Sequence, residues 1–430
     1  SAALKAQGYY REILAQPFDF TANESFETDP EKRVYAKTDA ELKEVWRKIL
    51  KYETLSRIMD KEEGLKSAKA GEEAPASTPQ LIEEEARKAV LKAYEEVFSR
   101  MMKTKRSDRL NLYLNSFTHV YDPHTDFLEP ADKQDFDFRI SGRLEGIGAT
   151  LNNVGDFTKV AEIVIGGPAW KAKELEKNDL ILKAAQGDSK EWVDFTGMLT
   201  NEVVTHIRGK KGTKVRLMIK KVDGTTKEIS IIRDVIEFED TYVKSLILDG
   251  ASPDEKIGYI YLPTFYADFQ RADGRFCAQD VAKELEKLKD ETVKGIIIDL
   301  RNNGGGSLND VVKMSGLFVE SGPIVQVKSR SAQPEVNYDR NPAVQYAGPL
   351  VIMVNSFSAS ASEIMAAALQ DYGRAVIVGS KSTYGKGSVQ RVFSLDQAIT
   401  GYDELKPFGD IKITLQKFYR INGGSNQLRG

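Results

Sequence analysis

The chain has 430 residues, 41% apolar and 29% charged, with 61 basic and 64 acidic side chains for a net charge of −3. That length predicts two to four domains, and the balanced charge excludes a general affinity for nucleic acid. The single cysteine, Cys277, excludes an internal disulfide, and no apolar run reaches the roughly 18 residues of a membrane span.

Residues 1–141 read as a helical region. Its opening Ser1-Ala-Ala-Leu-Lys5 is not a signal peptide, so export would require a leader already removed. Asp39–Tyr52 alternates charged and apolar residues at helical spacing. Residues 65–80, rich in Gly, Pro and Ser, read as a loop, and Leu81–Met102 and Asp108–Tyr121 as further helices. The cluster Tyr121–Pro130 brings His124 near Asp122 and Asp126. Asx turns around proline use the same residues, and no further His or Cys cluster supports a metal. His119 and His206 stand alone on predicted helices, so a Ser-His-Asp triad has little support.

Residues 142–236 change to short apolar strands separated by Gly and Asn-Asp turns, with a helix near Phe195–Ile207. Gly146-Ile147-Gly148 precedes a strand that includes Ala149 and Leu151. Such a loop can offer free N–H groups to a carboxylate, beside an edge open to an extended peptide. A small barrel with glycine turns fits the same pattern. From 237 to 430, strands near 257–262, 294–299, 350–354 and 375–379 alternate with helices near 277–289, 308–319 and 360–371. That is an α/β core with crossover helices. Ile411–Tyr419 reads as a late strand and Asn422–Gly430 as a polar tail. The fold class is thus α+β and multidomain.

Three stretches of this core carry chemistry. Asn355–Met365 runs from a strand through small residues into a helix. This layout lifts a nucleophilic serine to a helix N-terminus, where orphan N–H groups meet a developing oxyanion. Ser382-Thr-Tyr-Gly-Lys-Gly-Ser388 supplies one loop lysine, and a buried neutral lysine can act as base for a serine. Asp299-Leu-Arg-Asn-Asn-Gly-Gly-Gly306 ends a strand with three glycines that allow close backbone approach. Each stretch also has a plain structural reading, as helix cap or turn. Gly379–Lys386 nearly forms a phosphate loop, but its spacing is one residue too long and Gly387 replaces the magnesium-binding Ser or Thr.

Taken together, Asp122-Pro-His-Thr, Leu144–Ala149, Gly166–Ala169, Asp299–Gly306, Phe357–Ile364, Gln370–Arg374, Tyr384–Gly387 and Gln416–Arg420 resemble the carboxy-terminal processing, or tail-specific, serine proteases, especially the long periplasmic bacterial kind. The resemblance implies a PDZ domain at 142–236 ahead of an α/β protease core at 237–430, the whole acting as a periplasmic endopeptidase without metal or cofactor. It places the nucleophile at Ser360, the base at Lys386, a supporting Gln390, and oxyanion donors at Ala361 and Gly306. Gly146, Ile147, Gly148, Ala149 and Leu151 would hold the substrate's C-terminus. Lys386 follows Ser360 by 26 residues, one more than the family pattern, which leaves Lys381 as a competitor outside the Gly-Lys-Gly context. Partners implied are proteins or peptides with free apolar C-termini, with room for an adaptor protein. Long members continue beyond Asn422–Gln427 with a helical region, so the chain is expected to be a fragment. The alternatives are a PDZ-bearing peptide-binding scaffold or chaperone without catalysis, and an acyl-CoA hydratase-like enzyme.

Overall fold

A computed structural model describes residues 2–29, 31–67, 78–250, 252, 255–269, 271, 273–330 and 332–430. The chain divides into two compact units, Ser1–Lys105 and Arg106–Gly430.

The first unit holds α1 (Ala2–Leu14), α2 (Asp39–Ser67) and α3 (Pro79–Met102). Thr78 caps α3 by accepting from Leu81 N, and Pro79 occupies the first turn, where its missing N–H costs nothing. Tyr10, Leu50, Val90 and Phe98 form a buried core, with Trp46 and Tyr94 packed against it. Residues 68–77 of the expected loop lie outside the described residues. Its expected flanks are instead helical, since α2 runs through Ser67 and α3 starts at Pro79.

The second unit opens with α4 (Arg106–Tyr121), β1 (Asp126–Leu128) and α5 (Pro130–Ser141). Gly142 ends α5 in the left-handed conformation, with its N–H bonded to Phe138 O. Next, β2 (Arg143–Gly146) pairs antiparallel with β9 (Asp234–Glu237), so the chain enters and leaves a β-rich module through one ribbon. Between them lie β3 (Ala149–Val154), β4 (Phe157–Ile163), α6 (Pro168–Ala172), β5 (Leu180–Gln186), β6 (Val193–Asp194), α7 (Thr200–Ile207), β7 (Lys214–Lys220) and β8 (Thr226–Ile232). The sheet order is β3-β4-β5-β7-β8, with β6 on β5, so β3 stands at an edge. Ile147, Val160, Phe195, Val203, Leu217 and Ile231 give this module its own apolar core.

The remaining chain adds β10 (Lys244–Asp249), β11 (Lys256–Tyr261), α8 (Cys277–Asp290), β12 (Gly295–Asp299), α9 (Leu308–Gly316), β13 (Gly322–Ser329), β14 (Glu335–Asp339), β15 (Leu350–Val354), α10 (Ala361–Asp371), β16 (Val376–Gly379), β17 (Ser388–Ser394) and β18 (Asp410–Tyr419). Strands β11, β12, β15 and β16 are parallel neighbours, and β10 pairs antiparallel at the edge. Gly295-Ile-Ile-Ile-Asp299 has the unbroken apolar run of a strand covered on both faces. Ile260, Ile298 and Ile352 meet Val281 and Leu285 of α8, Val311 of α9 and Met365 of α10 in the main core. A second sheet, β1-β18-β13-β14, is antiparallel, and β17 also pairs with β18. Among the described residues no helix is long and apolar enough to cross a membrane.

Candidate active site

The site lies beyond the carboxyl ends of two adjacent parallel strands, the usual crevice of an open α/β sheet. Strand β12 delivers the glycine loop and β15 delivers the serine loop.

Three serines alternate in Ser358-Ala-Ser-Ala-Ser362, and their surroundings separate them. Ser358 is 0% exposed, donates to Leu300 O at 2.8 Å and accepts from Asn355 N. Ser362 is also 0% exposed and donates to Asn303 O at 2.9 Å. Only Ser360 of the three lines the cleft. It sits at φ 57°, ψ −113°, a conformation that side chains other than glycine rarely hold. Such strained turns cluster at functional sites, where the surrounding structure fixes them.

The glycine loop is stitched to this elbow. Asn302 N and Asn355 Nδ2 donate to each other's side-chain oxygens. Asn303 is fully buried; its main-chain oxygen accepts from Ala359 N, and its Oδ1 from Gly305 N at 2.9 Å. Gly305 lies so close to the elbow that a Cβ would stand 2.6 Å from Ser360 Cβ. Gly306 bridges Phe265, whose N and O bond Gly305 O and Ser307 N, which turns the Gly306 N–H away from that partner. Ala361 is the first residue of α10, so its N–H has no intrahelical acceptor. Among the described residues neither N–H has a protein partner, and both residues line the cleft. Asp299 anchors the loop: it is buried and accepts from Tyr259 Oη and the Arg301 guanidinium. Burial opposes its charge, but these hydrogen bonds outweigh burial and hold it below the usual carboxylate range.

Lys386 enters the same cleft, whose volume is about 450 Å³. Burial first, and the positive Lys412 second, push its amine below the ordinary lysine range, while Glu363 pulls the other way. The lysine thus has an acidic neighbour that opposes its neutral form. Gln390 also lines the cleft, but its Nε2 donates to Ser388 Oγ at 2.9 Å and Thr414 Oγ1 at 3.0 Å, which leaves Oε1 for another donor. The competitor Lys381 is exposed and does not line the cleft. The tail is not merely polar: Asn426 is buried, and Leu428 N donates to Gly385 O at 2.8 Å, beside the lysine.

Glu363 is the residue that sequence reasoning missed. It is 1% exposed and accepts from Ser360 N at 2.8 Å, Lys386 N at 3.0 Å, Gly385 N at 2.6 Å and Thr383 Oγ1 at 2.8 Å. One carboxylate therefore clamps the serine elbow to the lysine loop. Burial pushes its carboxyl up and these four bonds push it down. The readable signal was Ser360-x-x-Glu363, a capping-box pattern.

The Asp122–Asp126 turn cluster, read above as unsupported for a metal, is held by protein contacts. Asp126 bonds His119 at 2.8 Å and pairs with Lys412, and Asp122 accepts from Thr125. In the β-rich module, Gly146 ends β2 opposite Asp234, so the expected carboxylate loop narrows to Ile147 and Gly148. Their N–H groups donate to no main-chain acceptor among the described residues, although their carbonyls accept from Ala169 N and Val164 N. Ala149 and Leu151 lie on β3 and pack on the module's core.

The family model described as Peptidase family S41 matches residues 256–430, and that described as Tail specific protease N-terminal domain matches 1–131. The tail-specific protease of Haemophilus influenzae is 36% identical over 427 residues, covering 98% of this chain and 56% of that protein. The carboxy-terminal processing protease CtpA of Bacillus subtilis is 31% identical over 335 residues, covering 77% of this chain and 65% of that one. The chain thus spans between about half and two thirds of the length of these curated relatives. A solved PDZ domain of a carboxy-terminal protease from Vibrio cholerae, in complex with peptide, is 37% identical; it covers 22% of this chain and 99% of that one, with a TM-score of 0.21.

Proposed function

Because the chain belongs to the tail-specific, or carboxy-terminal processing, proteases of peptidase family S41, we propose that it is a periplasmic serine endopeptidase that reads protein C-termini and cuts with a Ser360–Lys386 pair. Ser360 Oγ attacks the scissile carbonyl. Neutral Lys386 takes the hydroxyl proton and later gives one to the leaving amine. The N–H groups of Ala361 and Gly306 receive the tetrahedral oxyanion; one such donor is worth about 3–4 kcal/mol. Gln390 Oε1 orients the amine without adding a charge that would restore its proton. The chemistry calls on side chains and main chain alone.

Residues 142–236 act as a PDZ domain in this reading. The Ile147 and Gly148 N–H groups take the terminal carboxylate, and the tail adds as a strand along the free edge of β3. Substrates are then proteins with free apolar C-termini.

The observation that carries the reading is the convergence in one cleft of a strained serine, a desolvated lysine and two unpartnered N–H groups. The test is degradation of an unfolded reporter with an apolar tail by the parent chain, Ser360→Ala and Lys386→Ala, repeated with the tail amidated. Loss in both variants and weakening by amidation are expected. Cleavage that survives Ser360→Ala would overturn the assignment. Tail binding without any cleavage would favour the peptide-binding scaffold.

A further inference from the structure

One face of α5 forms a wall of the catalytic cleft. Phe136, Arg139 and Ile140, spaced i, i+3 and i+4, all line it together with Ser360 and Lys386. Phe138, on the opposite face, packs edge-on against Phe238, and Asp135, one turn before Arg139, pairs with Arg208 at 2.6 Å. The orientation of the wall is therefore fixed from behind.

The cleft's charges are one-sided. Its lining holds Arg139, Lys386 and Lys412 and no acidic side chain among the described residues. Lys412 already has an anionic partner in Asp126. Lys386 is held toward its neutral form by burial. Arg139 is exposed, and among the described residues it has neither an ion pair nor a hydrogen bond from its side chain. A free guanidinium flanked by two apolar side chains, in a concavity that focuses its field, is poised for an anion supplied from outside.

We propose that Arg139 is a specificity-determining residue of the cleft. Its guanidinium takes an acidic side chain of the polypeptide lying beside the scissile bond, and it turns away lysine and arginine at that position. This rests on the protease reading of the same cleft.

The test uses one quenched fluorogenic peptide frame, C-terminally amidated to silence the tail-binding module, with Glu, Ala or Lys placed in turn at each position flanking the cleaved bond. Cleavage is measured with the parent 430-residue chain. Binding of the same peptides is measured by anisotropy with the Ser360→Ala chain. At one position the Glu peptide should exceed the Lys peptide by roughly three- to tenfold in both kcat/KM and affinity, the scale of a partly exposed charge pair. Arg139→Gln should bring that ratio close to one, and Arg139→Glu should invert it. The ratio in the parent should shrink as salt is raised. Cleavage with a ratio of one at every position, or a ratio unmoved by Arg139→Glu, overturns the proposal and leaves the protease reading standing. A Glu preference in binding without any cleavage overturns the protease reading and leaves Arg139 as a recognition residue. Neither binding nor cleavage of any peptide overturns the proposal, and the protease reading then stands or falls on the reporter with a free tail.

Discussion

Replacing Glu363 by Gln changes one atom of the clamp, and the four hydrogen bonds around that carboxylate dictate the outcome. Three of the four groups are main-chain N–H donors, which cannot accept. Ser360 N and Lys386 N share Oε2, while Gly385 N and Thr383 Oγ1 share Oε1. The better amide orientation keeps its carbonyl at the Oε2 position and faces its NH₂ toward Gly385 and Thr383. The threonine hydroxyl rotates and accepts. The Gly385 N–H meets another donor and is left buried and unpaired, at about 2–3 kcal/mol. That energy appears as displacement of the lysine loop, so kcat should fall roughly 30- to 160-fold. A second readout separates positioning from general damage. Loss of the carboxylate's charge lowers the amine pKa of Lys386, on which Glu363 has the opposing, raising effect. Lys386 works as the neutral base, so the acidic limb of the kcat/KM profile should move to lower pH. Steady-state kinetics across pH with a fluorogenic peptide measures both. A Glu363→Gln chain of full activity, or one with reduced kcat and an unmoved limb, refutes the argument.

The cation beside the base gives the opposite displacement. Lys412→Gln removes a charge that pushes the Lys386 amine down, so the acidic limb should move to higher pH, with more activity lost at pH 6 than at pH 9. Lys386→Met should be inactive and melt higher than the parent at pH 7. The amine titrates lower folded than unfolded, so the unfolded chain binds more protons and parent stability rises with pH across that window. The melting difference should therefore narrow toward pH 10.5, the ordinary lysine value; a constant difference would mean that packing alone is responsible. Ser360→Gly and Ser360→Ala should both lack activity, but the glycine variant should be the more stable by about 1 kcal/mol, since only glycine holds φ 57° without strain. Equal melting temperatures for the two would remove strain from the account.

Much of the architecture was legible because it derives from periodicity. The unbroken run Ile296–Ile298 and the small, apolar Ile364–Leu369 read directly as a covered strand and the helix after it. The strands β13, β14 and β17 did not, because Gln326, Lys328, Asn337 and Arg391 interrupt their apolar pattern, and β13 and β17 pair with the distant β18 while β14 pairs with β13. Choosing among Ser358, Ser360 and Ser362 needed the family resemblance or the structure, since alternation with alanine makes the three locally alike. Partners remote in sequence decide it: Leu300 takes Ser358 and Asn303 takes Ser362. The role of Glu363 was hidden for the same reason. Its capping of Ser360 is local, but its grip on Gly385 and Lys386 spans a crossover that no window contains. Gly146 reads as a loop residue from composition and becomes a strand end only through its pairing with Asp234.

Strand β18 is the common neighbour of β1, β13 and β17. During synthesis the ribosome delivers the serine elbow and the lysine loop well before residues 410–419 exist. Until then β17, which carries Gln390, has no strand to pair with, and Gly387 lacks the donor that Phe418 N later provides to its carbonyl. Pairing over such sequence distances is slow to nucleate, and domains complete as units as the chain emerges. The cleft thus stays unfinished until residues 410–419, which follow both the serine elbow and the lysine loop, have been made and paired.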